Sequence, residues 1–285
     1  MMKSNSDKSR EILEINDFNK SFDLLIQNVK KLRILLNTLN FEYINKITGT
    51  INIPKNTDYY LIRDSLNFRV DSILFHLRIL QSIQLNQYNQ LNKSKDKQLE
   101  MHNHKFEFLD QQFQLFDSII FHTISLFDYI GNLTGSICIR KPKMKWDGIM
   151  NSVNDKNNPF SSKDISFILK KINNELVDKL YNFRSELIHY SKAKGGFQFR
   201  HNLFANDMKL TVFAPIAVCK KFHELKLLSK DNEISINYAL FWIVEKTLTS
   251  VSKIIEDLLI HIDKNRRIPI GSELFGFEPA IKKSL

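Results

Sequence analysis

The apolar positions of this chain fall into long stripes of helical period, separated by short polar breaks. Phe18, Phe22, Leu25, Val29, Leu32, Leu36 and Leu39 step by threes and fours, which predicts an amphipathic helix from about Asn16 to Asn40. Tyr43 to Pro54 mixes β-branched residues with Gly49 and Pro54 and reads as an irregular or short extended connection. Helical spacing resumes through Leu61, Leu66, Val70, Ile73, Leu74, Leu77, Leu80 and Ile83, and the second helix is predicted to end near Gln90. Leu91 to Lys105, with Lys93, Ser94, Lys95, Asp96, Lys97, His102 and His104, reads as a polar surface linker. Phe113, Phe116, Ile120, Thr123, Phe127 and Ile130 mark a third helix, expected to stop around Gly131 to Gly135 because glycine supplies the conformations that end helices.

Beyond that point Arg140, Lys141, Pro142, Lys143, Met144, Lys145 and Trp146 predict a basic loop. Trp146 is either exposed on it or packed inward as a short helix begins, with burial favoured. Asn157-Asn158-Pro159 is turn chemistry, and Ser161 or Ser162 is expected to cap the fourth helix by accepting a backbone N–H bond. That helix carries Ile165, Ile168, Leu169, Ile172, Leu176, Leu180, Phe183 and Leu187, and Gly195-Gly196 is expected to close it. The period then changes. Phe197, Phe199, Leu203, Leu210, Val212 and Phe213, broken by Ala205-Asn206-Asp207, predict a β-hairpin. Pro215 to Leu228 is compatible with a short helix, and Ile236, Leu240, Ile243, Val244, Leu248, Val251, Ile254, Ile255, Leu258 and Ile262 define the last one. No repeat of fixed interval occurs.

These elements predict a mostly all-α protein. The expected organisation is an N-terminal helical region over 1–105 packed on a helical core over 106–265, with one hairpin near 197–215 and an irregular tail over 266–285. Only 8 glycines and 6 prolines in 285 residues agree with long helices rather than a many-stranded sheet. Lys and Arg number 41 against 31 Asp and Glu, a net charge of +10, which favours either a polyanionic partner or simply a solvated basic surface. The two cysteines, Cys138 and Cys219, lie far apart without metal-ligand spacing, so a reducing compartment fits and no disulfide framework or zinc site is indicated. His102 and His104, two apart, do not share a helical face and argue against a metal site. No apolar leader or spanning segment is visible, so a cytoplasmic location is expected. A glycine-rich phosphate loop, a Walker pattern and a paired-Asp metal motif are all missing, which speaks against metal-dependent nucleotide chemistry. No chemistry can be read from the spacing of His76, His122, His201, His223 or His261.

Arg184 and His189, near the end of the fourth helix, are the chemically specific pair. A permanent cation beside a group that titrates near neutrality suits phosphodiester chemistry. On an ideal helix five residues turn by roughly 500°, leaving the two side chains about 140° apart with a rise near 7.5 Å. A shared site therefore needs either a distortion near Leu187 or a second copy supplied by a two-fold dimer. Arg184-Ser185-Glu186-Leu187-Ile188-His189, with Tyr190 next, resembles the Arg-polar-x3-His motif of the HEPN superfamily of α-helical proteins. Phe127-Asp128-Tyr129-Ile130-Gly131-Asn132-Leu133 is similar to the companion segment of a bacterial HEPN branch, and the resemblance covers about Gln111 to Asn265.

The resemblance implies an up-and-down HEPN-like bundle with the first helices as an extension. It also implies a metal-independent, cofactor-free endoribonuclease of toxin or phage-defence type, working as a homodimer with an antitoxin or regulatory protein as a further partner. Arg184 would neutralise the scissile phosphate of RNA, and His189 would move protons during attack by the 2′-hydroxyl. Ser185 and Glu186 would orient the pair, Tyr190 would stack on or hydrogen-bond a nucleotide, and Asp128 and Asn132, four apart, would line the same groove. Arg140, Lys141, Lys143, Lys145, Lys192 and Lys194 would carry the RNA backbone. The competing readings are a non-catalytic RNA-binding or protein-interaction module and, residue by residue, plain structural roles. Arg184 bridges a carboxylate, His189 and Tyr190 pack, Glu186 is a solvated charge, and Asp128 is a hydrogen-bond acceptor.

Overall fold

The computed structural model describes residues 15–42, 58–139, 145–189, 197–202, 207–229 and 231–264. The described chain is mostly helical: α1 Ile15–Glu42, α2 Asp58–Lys93, α3 Lys97–Cys138, α4 Trp146–Asn154, α5 Asp164–Ile172, α6 Asp178–His189, α7 Ile216–Lys221, α8 His223–Leu228 and α9 Ile236–Lys264. A 3-10 turn, Pro159–Ser162, precedes α5, and a π-turn, Asn173–Val177, joins α5 to α6. One antiparallel pair, β1 Phe197–Asn202 with β2 Asp207–Val212, runs in register from Phe197 opposite Val212 to Asn202 opposite Asp207. None of the described helices is long and apolar enough to cross a membrane.

The stripes of α1 and α9 bury as their periodicity demands, from Phe18 through Leu39 and from Ile236 through Ile262. On α2 the register is set by Ile62, Leu66, Val70 and Ile73, so Leu61, read from the sequence as part of the stripe, is exposed. Two breaks read from the sequence are not there. Residues 91–105 are no linker, because α3 starts at Lys97, only a few residues after α2 ends. Asp96 Oδ1 accepts from Leu99 N at 3.0 Å and so opens the helix. Its first turns are held through Met101 and Phe108, which pack with Leu91 and the hairpin residues Met208 and Leu210. Nor does α3 stop at Gly131 to Gly135, but runs on to Cys138. A Cβ on Gly131 would lie 3.2 Å from Trp146 Cα and 3.3 Å from Ile149 Cγ2, so this glycine admits α4 against α3 rather than ending the helix.

Two compact units make up the chain, one from residues 1–26, 69–125 and 174–247, the other from 27–68, 126–173 and 248–285. In the first, Phe18 meets Phe241 edge-on at 4.7 Å and Phe116 meets Phe183 at 6.0 Å. A ladder of amides crosses this core. Gln84 exchanges hydrogen bonds with Asn237 and donates to Gln112, which donates to Gln87, which in turn donates to Gln111 and the Phe108 carbonyl. Satisfied in this way, the buried amides fix how α2, α3 and α9 meet. Asn92 docks the hairpin by accepting from Met208 N and donating to Met208 O, each at 2.8 Å, as another strand would.

In the second unit Trp146 is buried, meets Phe127 edge-on at 5.4 Å, and donates from Nε1 to Asn173 Oδ1 at 2.8 Å. Asn173 opens the π-turn, whose extra residue shifts the apolar stripe so that Leu176 and Val177 are both buried. Neither Ser161 nor Ser162 caps α5. Asn158 accepts from Phe160 N instead, and the residue before α5 is Lys163, with no side-chain cap. The expected irregular stretch 43–54, the close at Gly195-Gly196 and the tail 266–285 lie outside the described residues.

Candidate functional site

Asp178 to His189 is regular α-helix, and the π-turn lies before it rather than between the two motif residues. The five-residue step from Arg184 to His189 therefore keeps them about 140° apart along α6. Arg184 is half-buried, and its guanidinium lies over the Phe121 ring with Cζ 5.1 Å from the centroid. Among the described residues no carboxylate pairs with it. Phe183, one residue earlier, is fully buried and fixes the rotation of α6 that sends Arg184 towards Phe121. His189 ends α6, and Tyr190 lies outside the described residues.

Next to Arg184, one motif residue is paired and the other solvated. Glu186 accepts a 2.7 Å ion pair from Lys221 on α7, and Ser185 is exposed. Asp128 and Asn132 belong to the other compact unit. Asp128 Oδ1 accepts from Trp146 N at 2.9 Å, capping α4 where Lys145, the residue before that helix, makes no side-chain cap bond. Asn132 Oδ1 is buried with no hydrogen-bond partner among the described residues. Of the six basic residues read as an RNA track, Lys145 is exposed, whereas Arg140, Lys141, Lys143, Lys192 and Lys194 lie outside the described residues.

What the sequence did not disclose is the company Arg184 keeps. Arg69 Cζ lies 5.4 Å from the centroid of the same Phe121 ring, and Arg69 Nη1 donates to His122 Nδ1 at 2.9 Å. His76 stands beside His122 with ring centroids 5.1 Å apart, and its Nδ1 donates to the Ser72 carbonyl at 2.7 Å. Burial, then the charge of Arg69, then His76, push the His122 pKa down to about 4, so this ring is neutral at physiological pH. Phe121 is 39% exposed and Phe75, edge-on to His76 at 5.5 Å, is 60% exposed. Two guanidinium groups, two imidazoles and two accessible aromatic rings thus share one surface of α2, α3 and α6. The seven-residue step from Arg69 to His76, two turns along one face, was the trace of it in the sequence.

Elsewhere the chemistry is quieter. A cleft of about 480 Å³ in the second unit is lined by Lys163, Asp164, Asp257, His261 and Lys264. Lys264 already pairs with Asp164 at 3.0 Å, and burial holds Asp257 up and His261 down, each towards its neutral form. His104 is engaged by Glu100 and Glu107 on its own helix. Both cysteines are free, and burial pushes the Cys138 thiol up to about 12, leaving it unreactive as a nucleophile. Among the described residues no three His, Cys, Asp or Glu side chains gather in a way that could hold a metal ion. No family model, curated protein or solved structure matches the chain.

Proposed function

We propose that this chain is a metal-independent endoribonuclease of HEPN type, a toxin or phage-defence effector that cuts RNA by attack of the 2′-hydroxyl on the adjacent phosphate. The observation that carries the reading is Arg184: a half-exposed guanidinium held by an aromatic ring rather than neutralised by a carboxylate among the described residues. A stacked arginine keeps its N–H fork available for two phosphate oxygens, where it opposes the charge that builds during attack. His189 moves the proton. Because α6 is regular, the His189 that serves a given Arg184 comes from a second copy of the chain, in a groove where two sixth helices meet. Cleavage then leaves a 2′,3′-cyclic phosphate and a 5′-hydroxyl.

The undistorted helix also favours a second reading, a non-catalytic module that binds RNA, or a regulatory protein, through the same basic and aromatic face. Incubating purified wild type, Arg184→Ala and His189→Ala with single-stranded RNA in EDTA separates the two. Cleavage by wild type alone, reduced by about a hundredfold or more in each variant, is the expected result. RNA bound but never cut by any of the three assigns the module instead.

A further inference from the structure

Only Arg184, of the groups around Phe121, belongs to the motif; Arg69 and His76 come from α2 and His122 from α3. When both rings are uncharged, hydrogen-bond chemistry fixes which nitrogen of each carries the proton. A carbonyl only accepts, so the bond to Ser72 O requires N–H at His76 Nδ1 and leaves its Nε2 an acceptor. A guanidinium only donates, so the bond from Arg69 requires a lone pair at His122 Nδ1 and leaves its Nε2 a donor. Neither Nε2 has a protein partner among the described residues. The two ring centroids lie 5.1 Å apart, and Arg69, bonded to His122, shares the Phe121 ring with Arg184.

We propose that Arg69, His76 and His122, gathered with Arg184 around the Phe121 ring, form a seat for one nucleotide of single-stranded RNA. Arg69, Arg184 and His122 Nε2–H donate to phosphate oxygens, and His76 Nε2 accepts from the ribose 2′-hydroxyl. The seat rests on reading Arg184 as a phosphate ligand, but requires neither His189 nor cleavage. Planar guanidinium forks match phosphate oxygens, and both guanidinium groups lie over the Phe121 ring. Phe75, exposed beside His76, gives a flanking base something to stack on, which every base accepts whatever its identity. The 2′-hydroxyl is the group by which such a surface tells RNA from DNA, and His76 Nε2 is where it would be read.

The test uses the full chain in the His189→Ala background, so that RNA stays intact, with labelled oligouridine and oligodeoxyuridine as probes in an anisotropy titration over a range of salt. Arg69→Gln should weaken oligouridine binding by roughly tenfold and flatten the slope of log affinity against log salt by about 0.7, one phosphate contact. Arg69→Lys should restore the slope but only part of the affinity, and it carries the test if Arg69→Gln does not fold. His76→Ala should lower oligouridine binding to the level of oligodeoxyuridine and leave the latter unchanged. Wild-type affinity and slope in Arg69→Gln, with Arg184→Gln weakened, overturn the seat and spare the nuclease reading. Unchanged binding in both arginine variants overturns both. RNA that His189-intact protein never cuts, but binds in an Arg69-dependent way, removes the nuclease reading alone. Equal binding of the two probes by the parent protein overturns the role of His76.

Discussion

His122 carries a titration that can be tracked without any ligand. Its folded pKa, about 4, lies below the ordinary 6.5, so between those values the unfolded chain takes up a proton that the native protein refuses. Stability attributable to this ring is therefore complete above about pH 6.5 and declines as pH falls towards 4. Protonation at Nδ1 would also turn the acceptor of the Arg69 bond into a second donor facing a cation. The fall in thermal midpoint between pH 7 and pH 5 should accordingly be smaller in His122→Gln than in wild type. Equal slopes would mean that the ring is not held neutral by these neighbours. None of this was legible from spacing, because Arg69 and His122 are separated by 53 positions and meet only when two long helices pack. Arg184, by contrast, stood out at once through its motif. Asp128 was legible as a polar residue at the right place but not as the cap of a helix 18 residues on, since a cap borrowed from a neighbouring helix leaves no local signature.

At the level of elements, α1 and α9 could be read nearly residue by residue, because each buries a single face and a 3.6-residue period then dominates the sequence. The start of α3 could not. Its polar first turns are held by Leu91, Met101, Phe108, Met208 and Leu210, a cluster that includes hairpin residues about a hundred positions away, and local composition carries no trace of so distant a contact. Gly131 misled for a related reason: glycine announces either a stop or a close approach, and only the partner helix distinguishes them. This gives a direct test. In an open helix Gly→Ala would stabilise by about 1 kcal/mol. Here the new methyl meets the Trp146 backbone at 3.2 Å and Ile149 at 3.3 Å, and Trp146 is tied by hydrogen bonds to both Asp128 and Asn173. The crowding should outweigh the propensity gain and leave Gly131→Ala about 1 kcal/mol less stable in urea unfolding. A gain in stability would show that α4 can move away freely.

For the molecule as a whole, a net charge of +10 predisposes the surface to a polyanion but assigns it no reaction. The assignment depends on how many chains build one site. If Arg184 works with its own His189, the regular helix between them has to be unwound on RNA binding, and each copy acts alone. If it works with the His189 of a second copy, a symmetric dimer holds two composite sites. Mixing Arg184→Ala with His189→Ala chains, each inactive alone, then discriminates. In a mixed dimer one composite site has lost both groups, while the other combines an intact Arg184 with an intact His189. Random exchange of equal amounts puts half the dimers in the mixed form, so activity should return to about a quarter of wild type. Sedimentation of wild type and of the separate variants checks that each forms the proposed dimer, and dilution below its dissociation range should abolish the recovered cleavage. Mixed dimers that remain inactive place the chemistry within one chain, where it would require a helix that opens near Leu187.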